Sequence, residues 1–260
     1  MIDLKDNVTL ITGGGSGIGR ETCLAFTKAG AIVVVVDIDV EGGEKTVSLI
    51  EKLGGESIFI EADVSKSSDV ENYVNKTMEK YGRIDTFFNN AGITGPSCPI
   101  HEYPEDMFDK VVAINMKGVF LGLKYVLAVM IKQGSGSIIN TSSTSGMKGY
   151  VNLCAYSSTK HAVVGLTRIS AGEVAQTGVR VNAICPGPVD TGLIERLASG
   201  TGRTAEEQAE IKKRISLVST PRGRFADVNE VARVVIFLAS NYSEFINGAV
   251  LPIDAGITAI

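Results

Sequence analysis

Two spacings of hydrophobic residues alternate along this 260-residue chain. Short runs dense in Val, Ile and Phe place apolar side chains at neighbouring positions, as strands covered on both faces do. They predict strands at Val8 to Thr12, Ile32 to Asp37, Ser57 to Glu61, Thr86 to Asn89, Ser137 to Thr141, Arg180 to Ile184 and Val250 to Ile253. Between them, apolar residues recur at helical intervals and predict helices at Gly17 to Gly30, Gly42 to Leu53, Ser67 to Tyr81, Ala155 to Gln176 and Asp227 to Ser240. A further region, Pro104 to Lys132, is long enough to be broken. Strand alternating with helix implies the α/β class: a doubly wound parallel sheet of about seven strands, helices on both faces. The stretch Gly192 to Arg222 is helical in composition but has no strand beside it, and reads as an insertion forming a lid over a substrate pocket. Nothing resembling a linker divides the remainder, so residues 1–260 are expected to form a single dinucleotide-binding and catalytic domain.

Composition narrows the classes. Acidic and basic residues number 29 and 25 and are scattered, giving a net charge of −4 and no basic face of the kind a nucleic acid needs. Cys23, Cys98, Cys154 and Cys185 are far apart in the chain and form no Cys-x-x-Cys pair, so neither a metal site nor a disulfide framework is expected. The N-terminal residues run into a strand without a basic-then-apolar leader, and the apolar run Ala31 to Val36 is far too short to span a bilayer. A cytoplasmic protein with no membrane segment is the expectation.

In doubly wound sheets, ligands sit outside the carboxyl ends of the strands, and the chemically informative residues of this chain fall in the loops found there. After the first strand comes Thr12-Gly13-Gly14-Gly15-Ser16-Gly17-Ile18-Gly19, opening a helix. Glycines permit a tight turn and close backbone approach, and the helix N-terminus offers unpaired N–H groups to a pyrophosphate. The second strand ends at Asp37, where a carboxylate can accept hydrogen bonds from a ribose 2′-hydroxyl and would repel a 2′-phosphate. Ile38 follows in place of an arginine, so NAD is favoured over NADP, with Arg20 and Lys45 as the nearest alternative phosphate partners. Asp37 could instead cap the next helix or turn. Asp63-Val64 could hold an adenine ring, with a helix cap as the competing role for Asp63. Asn90, Ala91 and Gly92 allow backbone to lie against a flat cofactor. Pro186-Gly187-Pro188 makes a rigid wall after which the Val189 backbone and Thr191 hydroxyl could meet a carboxamide.

Tyr156 and Lys160 stand four residues apart, downstream of a strand ending in Ser142 and Ser143. On a helix these positions share a face, so an ammonium beneath the phenol would favour its ionised form. Tyr156 alone among the tyrosines has a lysine at that spacing. Taken together, the glycine pattern, Asn89-Asn90-Ala91-Gly92, Tyr156-x-x-x-Lys160 and Pro186-Gly187 resemble, in order and over nearly the whole length, the classical short-chain dehydrogenase/reductase family. The resemblance implies a Rossmann-like fold and a catalytic tetrad of Asn115, Ser143, Tyr156 and Lys160. It also implies pro-S hydride transfer and a homotetramer. In that scheme Tyr156 donates a proton to a carbonyl oxygen that Ser143 also hydrogen-bonds, Lys160 holds ribose hydroxyls, and Asn115 holds a water relaying protons to Lys160. From the residues alone, Asn115 would read as a buried helix position. His161, five residues past Tyr156, is turned off the catalytic face.

The expected activity is NAD-dependent interconversion of a secondary alcohol and a ketone. Reduction of a 3-oxoacyl group on acyl-carrier protein is the alternative, weakened by Asp37 and by finding only Lys148, Arg196 and Arg203 near the entrance to meet an acidic carrier. A non-catalytic NAD-binding protein is the rival from another class. Thr94, Gly95, Ser145, Met147, Tyr150, Leu153, Leu193, Ile194 and Leu197 could line the substrate pocket, and their mostly apolar character points to a hydrophobic or cyclic carbonyl compound.

Overall fold

The computed structural model describes residues 2–191 and 220–259, with 204, 206–207, 209–211, 213 and 217 between them. Seven parallel strands lie in the order β3-β2-β1-β4-β5-β6-β7: β1 Val8–Thr12, β2 Ile32–Asp37, β3 Ser57–Glu61, β4 Thr86–Asn89, β5 Gly136–Thr141, β6 Val179–Pro186 and β7 Val250–Ile253. The helices are α1 Gly17–Lys28, α2 Val40–Lys52, α3 Ser67–Tyr81, α4 Glu105–Val112, α5 Gly118–Gln133, α6 Cys154–Glu173 and, among the described residues, a last one, α7 Val228–Ala239.

Register explains the two-sided hydrophobic runs. Val34, Leu10, Phe87, Ile138 and Val181 are aligned across five strands and face one core. Val35, Ile11, Phe88 and Ile139, one residue on, are aligned in the same way and face the other. Successive side chains on a strand point to opposite faces, so one continuous apolar run supplies both layers. Truncating Phe87 or Phe88, both fully buried, to Ala would cost about 3–5 kcal/mol.

The sheet order reverses between β1 and β4, the switch point outside whose carboxyl ends such sheets take their ligands. Several predicted boundaries are corrected, among them α1, which ends at Lys28 rather than Gly30, and β6, which extends to Val179 and Pro186. Gly42 lies inside α2 rather than at its start, because a Cβ at Gly43 would sit 2.0 Å from the Phe59 ring and one at Gly42 2.4 Å from Asp39 Oδ2. Packing, not a turn, requires those glycines. The region from Pro104 is continuous but widens into one π turn, Ala113–Lys117, between α4 and α5. α6 ends at Glu173, short of Gln176. The expectation that nothing is long enough to cross a bilayer is also corrected: Glu105–Gln133 is 29 residues with a mean hydropathy of 1.6 in its most apolar window. In this fold it is a core helix, with Val111, Val119, Leu121, Leu123, Val126 and Met130 buried. The segment read as a lid lies largely outside the described residues, and Leu193, Ile194, Leu197, Arg196 and Arg203 fall there.

Candidate active site

The turn after β1 and the loop after β4 are stitched together at the switch point. Thr12 Oγ1 accepts hydrogen bonds from the N–H groups of Asn90 at 2.9 Å and Ala91 at 3.2 Å, while Asn90 Nδ2 donates to Thr12 O at 3.1 Å. Gly13 has φ +67°, and a Cβ on Gly19 would lie 1.9 Å from Gly13 O, so the turn closes onto the first turn of α1 only because both are glycine. Ser16 is the N-cap of α1 without a side-chain bond, and the N–H groups of Gly17, Ile18 and Gly19 follow it at a helix N-terminus suited to an anion. Thr191 approaches Gly17: a Cβ there would be 3.6 Å from its Cγ2, so the loop after β6 reaches back to the glycine turn. Within that loop Gly187 N–H donates to Ile253 O at 3.0 Å, and Val189 is buried and bridged to Ala226.

Asp37 is half-buried and its carboxylate faces the turn: Oδ2 accepts from Gly15 N–H at 2.8 Å and Oδ1 from Asp39 N–H at 3.0 Å. It caps no helix, since Asp39 occupies the N-cap of α2. Ile38 beside it is 64% exposed. Asp63 is engaged locally, its Oδ1 accepting from Ser65 N–H at 3.0 Å and Ser65 Oγ at 2.7 Å. Partial burial works to raise its carboxyl, but the two Ser65 hydrogen bonds and Lys66 outweigh it and hold the group below the usual range. Val64 packs over Gly118 at the start of α5.

The four tetrad positions converge. Ser143 begins a short 3-10 turn and its Oγ accepts from Ser145 N–H at 3.1 Å. Its own proton faces Pro186 O at 3.5 Å, the far limit of a hydrogen bond, and the Tyr156 phenol. Burial pushes that phenol above its ordinary value, while the hydrogen bond with Ser143 draws it back. Lys160 Nζ lies 5.6 Å from the centre of the Tyr156 ring and donates to Thr141 O at 2.7 Å. Burial lowers the ammonium to about 8. The expected lowering of Tyr156 by Lys160 is therefore not the dominant effect here: desolvation is, and it acts on both groups.

Asn115 is fully buried in the π turn, Oδ1 accepting from Ile93 N–H at 2.8 Å and Nδ2 donating to Ile93 O at 2.7 Å and Thr159 Oγ1 at 3.3 Å. A Cβ at Gly92 would meet both Asn115 Oδ1, at 3.1 Å, and Lys160 Nζ, at 3.5 Å. The side chain thus clamps Ile93 and ties the π turn to the loop after β4.

Further neighbours hold the site together. Ser142 Oγ donates to Lys160 O at 2.8 Å, tying the serine loop to α6. Cys185 lies beside Ser142, Ser143 and Lys160, and burial raises its thiol above the ordinary value, so it stays protonated and inert. Cys98 and Leu153 form an isolated parallel bridge, which brings the loop after β4 against the start of α6. Of the expected pocket residues, Ser145 is buried, Tyr150 OH donates to Thr144 Oγ1 at 3.2 Å, Met147 is exposed, and Gly95 backs onto Tyr103. His161 is exposed, with Nδ1 2.9 Å from Ser157 O.

A glycine-built anion site, a carboxylate at the end of β2 and a Ser, Tyr and Lys set at the end of β5 and on α6 define a dinucleotide-dependent oxidoreductase. The chain matches the short chain dehydrogenase family over residues 7–201 and belongs to it. It is 42% identical over 261 residues to levodione reductase of Leifsonia aquatica, covering 98% of this chain and 95% of that one. The crystal structure of levodione reductase superposes with a TM-score of 0.91, covering 98% of each chain. NAD+-bound xylitol dehydrogenase superposes with a TM-score of 0.90 at 35% identity, covering 97% of this chain and 99% of that one. A variant actinorhodin polyketide ketoreductase with NADPH does so at 0.90 and 33%, covering 100% of each. The family binds a nicotinamide cofactor, and its members with known structures include both NAD and NADP forms.

Proposed function

We propose that the protein interconverts a secondary alcohol and a ketone using NAD, with Tyr156 as the proton donor and acceptor. The observation that carries this reading is a buried Lys160 whose Nζ lies 5.6 Å from the centre of the Tyr156 ring, on the helix that faces the Ser143 turn. The turn suits the cofactor: Gly13 and Gly19 let it close tightly at the N-terminus of α1, since a Cβ at either would collide with the turn or the loop after β4, and Asp37 at the end of β2 would meet an adenosine ribose. Bound there, the nicotinamide supplies or accepts the hydride. In reduction, Tyr156 releases its proton to the substrate oxygen, and Ser143, whose bond to Pro186 O is long at 3.5 Å, donates to the same oxygen. Lys160, with a pKa of about 8, is mostly charged at neutral pH and favours the phenolate that remains. In oxidation the same groups work in reverse.

NAD is preferred on the grounds of Asp37, a half-buried carboxylate that would repel a 2′-phosphate, and of the apolar Ile38 beside it. The acyl-carrier-protein alternative is weakened by Asp37, which disfavours the NADPH that such reductases usually take. A hydrophobic or cyclic ketone suits Met147, Tyr150 and Leu153, and a dione appears in the name of the levodione reductase relative. Assembly as a homotetramer is supported by Phe108, Met116, Phe120 and Ile131, left exposed on the helical stretch from α4 through α5. The test is NADH and NADPH absorbance against a panel of cyclic ketones, acyclic ketones and charged keto acids. Turnover of cyclic ketones with NADH is expected; preference for NADPH, or for small charged keto acids, would contradict the reading.

A further inference from the structure

Arg20 was a possible phosphate partner in the sequence, yet its guanidinium is turned into the protein. Nε donates to Thr46 Oγ1 at 3.0 Å, and Nη2 donates to Gly42 O at 3.1 Å and to Gly15 O. Thr46 is fully buried, and its hydroxyl lies 2.9 Å from Gly14 O and 3.0 Å from Gly42 O. These contacts join the glycine turn after β1 to the first turns of α2, across a gap so narrow that a Cβ on Gly42 would lie 2.9 Å from Gly15 O.

A peptide unit is planar and trans, so its N–H points opposite to its C=O. In the unit joining Gly14 and Gly15, the carbonyl goes to Thr46 and the N–H goes to Asp37 Oδ2 at 2.8 Å. In the next unit the carbonyl of Gly15 goes to Arg20, and the N–H of Ser16, the N-cap of α1, is thereby turned away from Arg20. Resting on the reading that this turn receives a dinucleotide, we infer that Arg20 is a positioning residue. Through Gly15 it orients the Ser16 N–H toward the pyrophosphate, and together with Thr46 it holds Gly15 where Asp37 can grip it. The same contacts exclude Arg20 as a ligand for a 2′-phosphate, since swinging the guanidinium outward would release the turn. A lysine cannot replace it fully, because one ammonium cannot span three acceptors as a planar fork does.

The experiment compares wild type, Arg20→Met, Arg20→Lys and Thr46→Val by calorimetric binding of NADH and of ADP-ribose, together with kcat and KM. Arg20→Met is expected to weaken both ligands by about tenfold or more, and Arg20→Lys by less. The kcat at saturating NADH and its pH profile should stay near wild type, as should turnover with reduced nicotinamide mononucleotide, which lacks the adenosine half. Thr46→Val, nearly isosteric, should shift binding in the same direction, and the double variant should lose less than the two singles combined because both act on one turn. Unchanged NADH affinity in Arg20→Met would overturn the inference alone. If Arg20→Met does not fold, unchanged affinity in Thr46→Val does the same. An equal loss of kcat and of mononucleotide turnover would reduce Arg20 to general structural support. If the wild type binds neither NADH nor ADP-ribose, the functional reading falls as well.

Discussion

Replacing Lys160 by Met should abolish turnover and yet make the cofactor-free protein more stable at neutral pH. Burial displaces this ammonium from its ordinary 10.5 to about 8, and at about 1.4 kcal/mol per unit that is about 3 kcal/mol of unfavourable charge burial in the folded state. Methionine is similar in length and fills the same space without a charge. It also strands Thr141 O, which accepts from Nζ at 2.7 Å, at a cost of about 1–2 kcal/mol. The difference leaves the variant ahead by about 1–2 kcal/mol at pH 7, a rise of a few degrees in Tm for a chain of this size. The advantage must fade with pH. Between about 8 and 10.5 the unfolded lysine keeps its proton while the folded one has released it, so wild-type stability climbs through that window relative to the variant. Denaturant unfolding of both proteins from pH 7 to 10 reads this directly. A variant less stable than wild type at pH 7, or a gap that stays constant with pH, would refute the electrostatic account of Lys160.

Asp37→Ser combined with Ile38→Arg should shift preference from NAD toward NADP, because it removes the repelling carboxylate and supplies a guanidinium for the phosphate; the ratio of kcat/KM for the two cofactors measures it. Ser143→Ala should lower kcat by about a hundredfold or more, as loss of an oxyanion donor does, with NADH binding by calorimetry unchanged. Gly19→Ala should abolish NADH binding, since its Cβ would sit 1.9 Å from the Gly13 carbonyl and force the turn open; wild-type affinity would show that the turn can relax.

Local pattern carried the fold. Strand cores such as Val8 to Thr12 and Ile32 to Asp37 were legible because a strand buried on both faces writes its burial as a continuous apolar run. Where the cause lay elsewhere in the chain, it was not legible. Gly42 read as a helix start, but α2 begins at Val40, and the Phe59 ring, which makes glycine necessary at the neighbouring Gly43, belongs to β3. The spacing of Tyr156 and Lys160 was readable from helical geometry, whereas the burial that governs both pKa values was not. Asn115 depends on Ile93 and Thr159, and Arg20, which follows the glycine motif, joins α1 to α2 through Thr46, a residue that no local pattern marks. Such partnerships exist only once the sheet has brought the loops together.

The central claim is that Tyr156 moves the proton, and Tyr156→Phe tests it most directly because the ring and its packing are kept while the exchangeable proton is removed. Single-turnover oxidation of NADH with a cyclic ketone should fall by about a hundredfold or more in the variant, with NADH affinity and thermal stability close to wild type. A Tyr156→Phe protein that binds NADH and turns over near the wild-type rate would contradict the account.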